Sequence, residues 1–129
     1  MDEQAPIQPA LPVVLLVDDE PLLLESLGRE LRGFCRLYTA TSAADADLKL
    51  AARHYDVIVC DHMLPGEQGL DFLGRVMELM PSTKRILMTG YINPEFISRS
   101  TAIAGLSACL VKPLKASDLA GAVRAAIAS

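Results

Sequence analysis

Reactive side chains in this sequence stand directly after short apolar runs. Each run has the length and composition of a buried β-strand. The carboxyl ends of parallel strands meet at one edge of a sheet, and open α/β sheets bind their ligands there. Side chains at these positions can therefore converge. They are Asp18 and Asp19 after residues 13–17, Asp61 after residues 57–60, Thr89 after residues 85–88, and Lys112 after residues 107–111.

Three carboxylates gathered at such an edge would repel one another. At an effective dielectric constant of about 20, each pair roughly 4 Å apart costs about 4 kcal/mol. A proton or a bound cation removes this cost, and hard carboxylate oxygens favour Mg²⁺. A carboxylate beside Mg²⁺ can attack phosphorus and form an aspartyl-phosphate. Thr89 could then bond one phosphoryl oxygen, and Lys112 could neutralise another.

The segments between the apolar runs have helical patterns, so strands and helices alternate along the chain. Five strand–helix units with short links predict an α/β domain, in which a five-stranded parallel sheet carries helices on both faces. The helix starts are predicted from cap and proline signals. They lie at Pro21, at Thr41-Ser42, after Gly69 and at Asn93-Pro94, while the last helix, near Lys115, has no clear cap.

Composition limits the function classes. The chain has 129 residues, enough for one domain with a real core, and a formal net charge of −4. No basic block is present, which argues against direct binding of nucleic acid or of an anionic membrane. The apolar runs are far too short to span a bilayer.

The first twelve residues differ from the rest of the chain. They are acidic and contain three prolines, without the cationic start and apolar centre of a signal peptide. We therefore predict a flexible lead-in over residues 1–12 and one domain over residues 13–129. Cys35, Cys60 and Cys109 are an odd number of thiols on or beside predicted strands. Buried free thiols in a reducing cytoplasm explain them better than disulfides or a metal site.

Four short motifs stand at predicted strand ends: VDDEP, DHMLPGEQG, MTG and VKP. Together they are more informative than any one of them. With these motifs the chain resembles the receiver domain of bacterial two-component response regulators, from Val13 to Ile127. The resemblance implies a flavodoxin-like strand order, 2-1-3-4-5. It implies that Asp61 is the phosphoacceptor and that Thr89 and Lys112 contact the phosphoryl group. It also implies that Asp19, Asp61 and the backbone carbonyl of Met63 bind Mg²⁺, with Asp18 acting through water.

The resemblance further implies a signalling role in the cytoplasm. A histidine kinase or phosphotransfer protein would phosphorylate Asp61, and a surface around helix 4, strand 5 and helix 5 would change shape. That surface could contact an output domain or protein, or a second copy of the chain. Such a domain is not an enzyme beyond catalysing its own phosphorylation and dephosphorylation.

Two other functions use the same fold features. One is a small Mg²⁺-dependent phosphohydrolase of the haloacid-dehalogenase type, which also forms an aspartyl-phosphate but places its nucleophile after the first strand and a second acid two residues on. The other is a flavin-binding electron carrier. The acidic DDEP loop would repel the flavin phosphate, which a loop rich in Ser, Thr and Gly would cradle.

Three residues set this sequence apart from the family pattern or vary within it. His62 stands where receivers usually carry an aliphatic residue, and alternation along an extended chain predicts that it faces away from the site. Cys109 stands at the usual switch aromatic, three residues before Lys112. We therefore expect Tyr91, or the loop and helix after Thr89, to carry the response instead.

Overall fold

A parallel sheet lies at the centre of this computed structural model, which describes residues 10–91 and 93–129. Its strands lie in the order β2-β1-β3-β6-β7. Without the two-residue strands β4 and β5, this is the predicted order 2-1-3-4-5, so the flavodoxin-like fold is confirmed. In chain order the elements are β1 (Val13–Val17), α1 (Pro21–Glu30), β2 (Arg36–Ala40), α2 (Ala43–Ala52), β3 (Val57–Asp61), β4 (Met63–Leu64), β5 (Glu67–Gln68), α3 (Gly69–Leu79), β6 (Lys84–Thr89), α4 (Pro94–Ala104), β7 (Ala108–Val111) and α5 (Ala116–Ala128).

The strand register brings the reactive positions to one edge. Asp61 pairs with Met88 across β3 and β6, and Thr89 pairs with Val111 across β6 and β7. The pairing continues past the last strand, since the backbone N–H of Lys112 donates to the carbonyl of Thr89 at 2.8 Å. The ends of the strands are therefore level, as the spacing of the motifs predicts.

Helices cover both faces of the sheet, as predicted. On one face, α1 and α5 pack on the strands, and the buried residues are Val14, Leu16, Leu24, Leu27, Leu31, Cys35, Val57, Val59, Ile86, Met88, Leu119, Val123 and Ala126. On the other face lie α2, α3 and α4, over Leu15, Val17, Ala40, Ala43, Ala46, Leu50, Tyr55, Ile58, Cys60, Phe72, Leu73, Val76, Leu87, Ala104 and Leu106. We call these the α1/α5 layer and the α2–α4 layer.

Local signals explain the helix ends. The side chain of Ser42 accepts the backbone N–H of Asp45 at the start of α2, and Asn93 accepts that of Phe96 at the start of α4. Gly105 ends α4 in the left-handed conformation, with φ of 57°. The starts of α2 and α4 agree with the predicted caps, and α1 ends at Glu30.

A short hairpin follows β3 where the sequence predicted only a loop. β4 and β5 pair antiparallel around Pro65 and Gly66, and Gly66 has φ of 78°. Proline followed by a glycine with positive φ is typical of a tight turn. The predicted lead-in falls mostly on residues 1–9, which lie outside the described residues. None of the described helices is both long and apolar enough to cross a membrane.

Candidate functional site

Three aspartates meet at the carboxyl edge of the sheet. One carboxylate oxygen each of Asp18, Asp19 and Asp61 lies within 4.8 Å of the others. Asp18 is fully buried and Asp61 nearly so, whereas Asp19 is exposed. The structure therefore brings together the acids that the sequence placed at two separate strand ends.

Lys112 reaches this cluster from the end of β7. Its Nζ lies 2.7 Å from Oδ2 of Asp18 and 3.2 Å from Oδ1 of Asp61. A longer contact of 3.4 Å joins it to the exposed Glu20, which the sequence analysis did not assign to the site. Only a fifth of the Lys112 side chain is exposed, so its charge is directed at the buried acids rather than at solvent.

The carboxylates and the ammonium change each other's proton affinity. Burial raises the pKa of Asp61, the charge of Asp18 raises it further, and Lys112 partly opposes both. Burial by itself lowers the pKa of Lys112, but hydrogen bonding and charge from Asp18 and Asp61 outweigh it, so this pKa lies above its ordinary value. One ammonium thus faces more acids than it can neutralise, and the cluster favours a further cation.

Gly69 fixes the backbone around Asp61. Its N–H donates to the carbonyl of His62 at 2.8 Å, which closes the hairpin loop onto β3. A Cβ at this position would lie 1.9 Å from the backbone oxygen of Asp61, so only glycine fits without movement. Met63, the expected source of a metal-binding carbonyl, lies inside this closed loop at the start of β4.

Thr89 ends β6, the strand between β3 and β7, and is fully buried. Its Oγ1 accepts the backbone N–H of Tyr91 at 3.0 Å. The same oxygen lies 3.0 Å from Nδ1 of His62. The prediction that His62 faces away from the site residues is wrong. β3 ends at Asp61 and the chain bends at His62, so the alternation of an extended strand does not apply there.

His62 also belongs to a row of aromatic rings that the sequence analysis missed. Its ring lies 4.7 Å from that of Phe96, centroid to centroid, and Phe96 lies 5.2 Å from the ring of Tyr91 in an edge-to-face arrangement. Phe96 is in the first turn of α4. Two features of the sequence could have indicated this row of rings. His62 stands where receivers usually carry an aliphatic residue, and an aromatic residue, Phe96, follows the Asn93-Pro94 cap.

Comparisons with known proteins decide the family. The sequence matches the response regulator receiver domain over residues 14–124. This chain belongs to the receiver domain family. The receiver domain resembles the signal receiver domain of an HD domain-containing protein from Pseudomonas fluorescens Pf-5, with a TM-score of 0.84, 31% identity, and coverage of 92% of this chain and 95% of that chain. It also resembles a CheY-like receiver from Methanospirillum hungatei JF-1, with a TM-score of 0.79, 28% identity, and coverage of 89% and 92%.

Curated relatives of this receiver domain are named as bacterial transcriptional regulators. The hydrogenase transcriptional regulatory protein HoxA of Cupriavidus necator is 36% identical over 88% of this chain and 24% of its own length. The DNA-binding transcriptional activator DevR/DosR of Mycobacterium tuberculosis is 31% identical over 86% and 52%. The chain thus spans between about a quarter and a half of the length of these relatives.

The thiols in and near the site of this receiver domain are structural. Cys60 is buried in the α2–α4 layer and its Sγ donates to the backbone oxygen of Asp61 at 3.2 Å. Burial, then the charge of Asp61, raises the pKa of this thiol well above its ordinary value, so Cys60 stays protonated. The prediction that Cys60 packs in the core is confirmed. Cys109 is partly buried against the same layer, beneath α4.

Receiver domains usually bind Mg²⁺ through acidic residues, and the donor set here suits that ion. The three aspartates offer hard oxygens at close range, and the cluster carries more negative than positive charge. Mg²⁺ prefers such ligands and keeps part of its water shell. The three aspartates and the loop that carries Met63 therefore suit Mg²⁺.

Proposed function

We propose that this receiver domain accepts a phosphoryl group on Asp61 from a histidine kinase or phosphotransfer protein, in a reaction that requires Mg²⁺. One observation carries the proposal: the nearly buried carboxylate of Asp61 lies at the sheet edge, 3.2 Å from the ammonium of Lys112 and among further acidic oxygens. Membership of the family makes phosphoacceptor signalling the expected role of this edge.

In the proposed transfer, a carboxylate oxygen of Asp61 forms a bond to phosphorus. The bond between phosphorus and the imidazole nitrogen of the donor breaks, and that nitrogen keeps the electron pair. Asp19, Asp61 and the backbone carbonyl of Met63 would hold Mg²⁺, with Asp18 contributing through water. Bound Mg²⁺ would supply positive charge to the phosphoryl oxygens.

Lys112 and Thr89 act on the phosphoryl group from two sides. Lys112 exchanges part of its contact with Asp61 for a phosphoryl oxygen, and it is already held close by Asp18 at 2.7 Å. Thr89 donates its hydroxyl hydrogen to another oxygen. Lys112 is positioned before the reaction, because it is ion-paired. The domain thereby promotes its own phosphorylation and the later hydrolysis of the aspartyl-phosphate, without acting on other substrates.

The proposed readout is a change in the surface formed by α4, β7 and α5. Cys109 has no ring to fill space that Thr89 vacates, so we expect the larger change near Tyr91 and α4. An output domain or protein, or a second copy of the chain, would contact this surface, and the relatives named as transcriptional regulators support an output of that kind. We also propose a cytoplasmic location, a receiver over residues 13–129 after a lead-in over residues 1–12, and no direct contact with DNA or a membrane.

Labelling with a small phosphodonor tests the proposed function. Acetyl phosphate should phosphorylate the chain only with Mg²⁺ present, as an added phosphoryl mass. Asp61→Asn should abolish labelling because an amide is not a nucleophile, whereas Asp71→Asn should keep it, since Asp71 is exposed on α3 outside the cluster. Labelling that persists in Asp61→Asn would remove Asp61 from its role.

The readout has its own test. Backbone amide shifts are recorded with Mg²⁺, before and after beryllofluoride, which mimics the phosphoryl group. The largest changes outside the site should lie around Tyr91 and the first turn of α4. Large changes centred on Cys109 and α5, with α4 silent, would contradict this part of the proposal.

A further inference from the structure

The hydroxyl of Thr89 can donate only one hydrogen bond at a time. Its oxygen already accepts the backbone N–H of Tyr91 at 3.0 Å. Within residues 10–91 and 93–129, the acceptor recorded within reach of its proton is Nδ1 of His62, at 3.0 Å. Thr89 is fully buried, so bulk solvent does not reach its hydroxyl.

A buried hydroxyl that found no acceptor would lose free energy comparable to a hydrogen bond. The arrangement is therefore satisfied when Thr89 donates and Nδ1 of His62 accepts. In this tautomer the imidazole carries its proton on Nε2. The opposite tautomer would point two N–H groups at one oxygen and leave the hydroxyl proton without a protein partner.

We propose that His62 is a positioning residue that competes with the phosphoryl group for the hydroxyl proton of Thr89, and so favours the unphosphorylated state. This inference rests on the proposed role of Thr89. A phosphoryl oxygen and Nδ1 cannot both accept the one proton, so each phosphorylation of Asp61 exchanges one hydrogen bond of Thr89 for the other. Thr89 thus gains less from the phosphoryl group than a free hydroxyl would.

The same exchange is transmitted to α4. His62 packs 4.7 Å from the ring of Phe96, whose backbone N–H is held by Oδ1 of Asn93 at 2.9 Å. When Nδ1 loses its donor, the imidazole is free to turn for a new partner, and its contact with Phe96 changes with it. The first turn of α4 therefore responds to the hydrogen bonding of Thr89 through the imidazole ring of His62. Cys109 stands at the position of the usual switch aromatic and has no ring that could do this.

Beryllofluoride titration in the presence of Mg²⁺ tests the competition. Replacing His62 with leucine keeps an apolar contact for Phe96 and removes the acceptor. His62→Leu should bind beryllofluoride about three- to tenfold more tightly, the range that corresponds to one net hydrogen bond. His54→Leu is the matched control, because His54 is exposed and precedes the amino end of β3, opposite the edge where Asp61 lies, and it should leave the affinity unchanged.

A second pair of variants shows whether His62 acts through Thr89. In a Thr89→Ala background the proton is gone, so adding His62→Leu should give no gain. A gain that persists in this background, or an affinity that falls or stays equal in His62→Leu alone, would overturn the inference. If the unmodified chain does not bind beryllofluoride, the proposed function fails first and the inference falls with it.

Imidazole ¹⁵N shifts provide a readout that a purely structural role would not produce. In the unliganded protein, Nδ1 of His62 should show the shift of an unprotonated nitrogen and Nε2 that of a protonated one. Beryllofluoride should move the Nδ1 signal as its hydrogen bond is lost, and His54, the other histidine of the chain, should serve as an unmoved reference. A protonated Nδ1 in the unliganded protein would contradict the inference.

Discussion

The strand-end edge has two halves with different chemistry. The charged half consists of Asp18, Asp61 and Lys112, which are held together by ion pairs of 2.7 and 3.2 Å. The neutral half is Thr89, which ends β6 and is held by His62 and the backbone of Tyr91, at 3.0 Å each.

The two halves differ in how much free energy a change of bonding partner costs. Removing one partner of a buried ion pair leaves an unpaired charge, which is strongly destabilising. Exchanging one neutral hydrogen bond for another changes the free energy far less. The charged half is therefore suited to hold a metal and a phosphoryl group in place, and the neutral half is suited to change partners.

The largest expected effect is at Gly69, which supports the charged half. In Gly69→Ala the new Cβ would meet the backbone oxygen of Asp61 at 1.9 Å, so β3 or the hairpin must move. We expect a loss of about 4 kcal/mol or more in the free energy of unfolding, or failure to fold. Urea denaturation measures it.

Gly74→Ala is the matched control for that variant. Gly74 also lies in α3, but a Cβ there would meet nothing within 4 Å. Alanine is the better helix former by up to about 1 kcal/mol, so this variant should be as stable as the unmodified chain or more so. Similar losses in both variants would mean that the closed loop does not fix the backbone of Asp61.

The two halves can be compared directly with Lys112→Met and Thr89→Val. Lys112→Met leaves Asp18 and Asp61 unpaired and should lower the free energy of unfolding by about 3 kcal/mol without metal. Part of that loss should return with Mg²⁺. Thr89→Val removes only neutral hydrogen bonds and should cost about 1–2 kcal/mol, with no recovery by Mg²⁺. Equal losses, or equal responses to Mg²⁺, would contradict the division into a charged and a neutral half.

The charged half was predicted from sequence because its position depends only on where the strands end. Asp61 and Lys112 each follow an apolar run, and parallel strands bring such positions together regardless of side-chain detail. The sheet and its order follow from the same alternation of elements and from the family resemblance. The hairpin of β4 and β5 was not predicted, since two-residue strands have no periodicity to detect.

The neutral half could not be predicted from the same signals. The position of His62 depends on a backbone bend after β3, which only the three-dimensional path of the loop reveals. Arg85 is a similar case: it was predicted simply as a strand residue, yet its buried guanidinium donates to the carbonyls of Thr83, Ala104 and Gly105 and so anchors the end of α4. Long-range contacts of this kind leave no pattern in a single sequence.

The smallest expected effect is at Asp19, the exposed acid of the cluster. Asp19→Asn removes one repelling charge, so the melting temperature of the metal-free protein should rise, by less than Lys112→Met lowers it. Binding of Mg²⁺ should weaken at the same time. Thermal melts in a chelator and in Mg²⁺ measure both changes. An unchanged or lower melting temperature without metal would show that the carboxylates do not repel one another appreciably.

If Asp61 is the phosphoacceptor, the phosphoryl bond can be located at this residue by chemical reduction. After phosphorylation with acetyl phosphate and Mg²⁺, borohydride reduces an aspartyl-phosphate to homoserine, and mass spectrometry of peptides identifies the changed residue. Homoserine should appear at position 61 alone, and should be absent when Mg²⁺ is withheld. Modification at Asp18 or Asp19, or an unmodified position 61 in a labelled chain, would contradict this assignment.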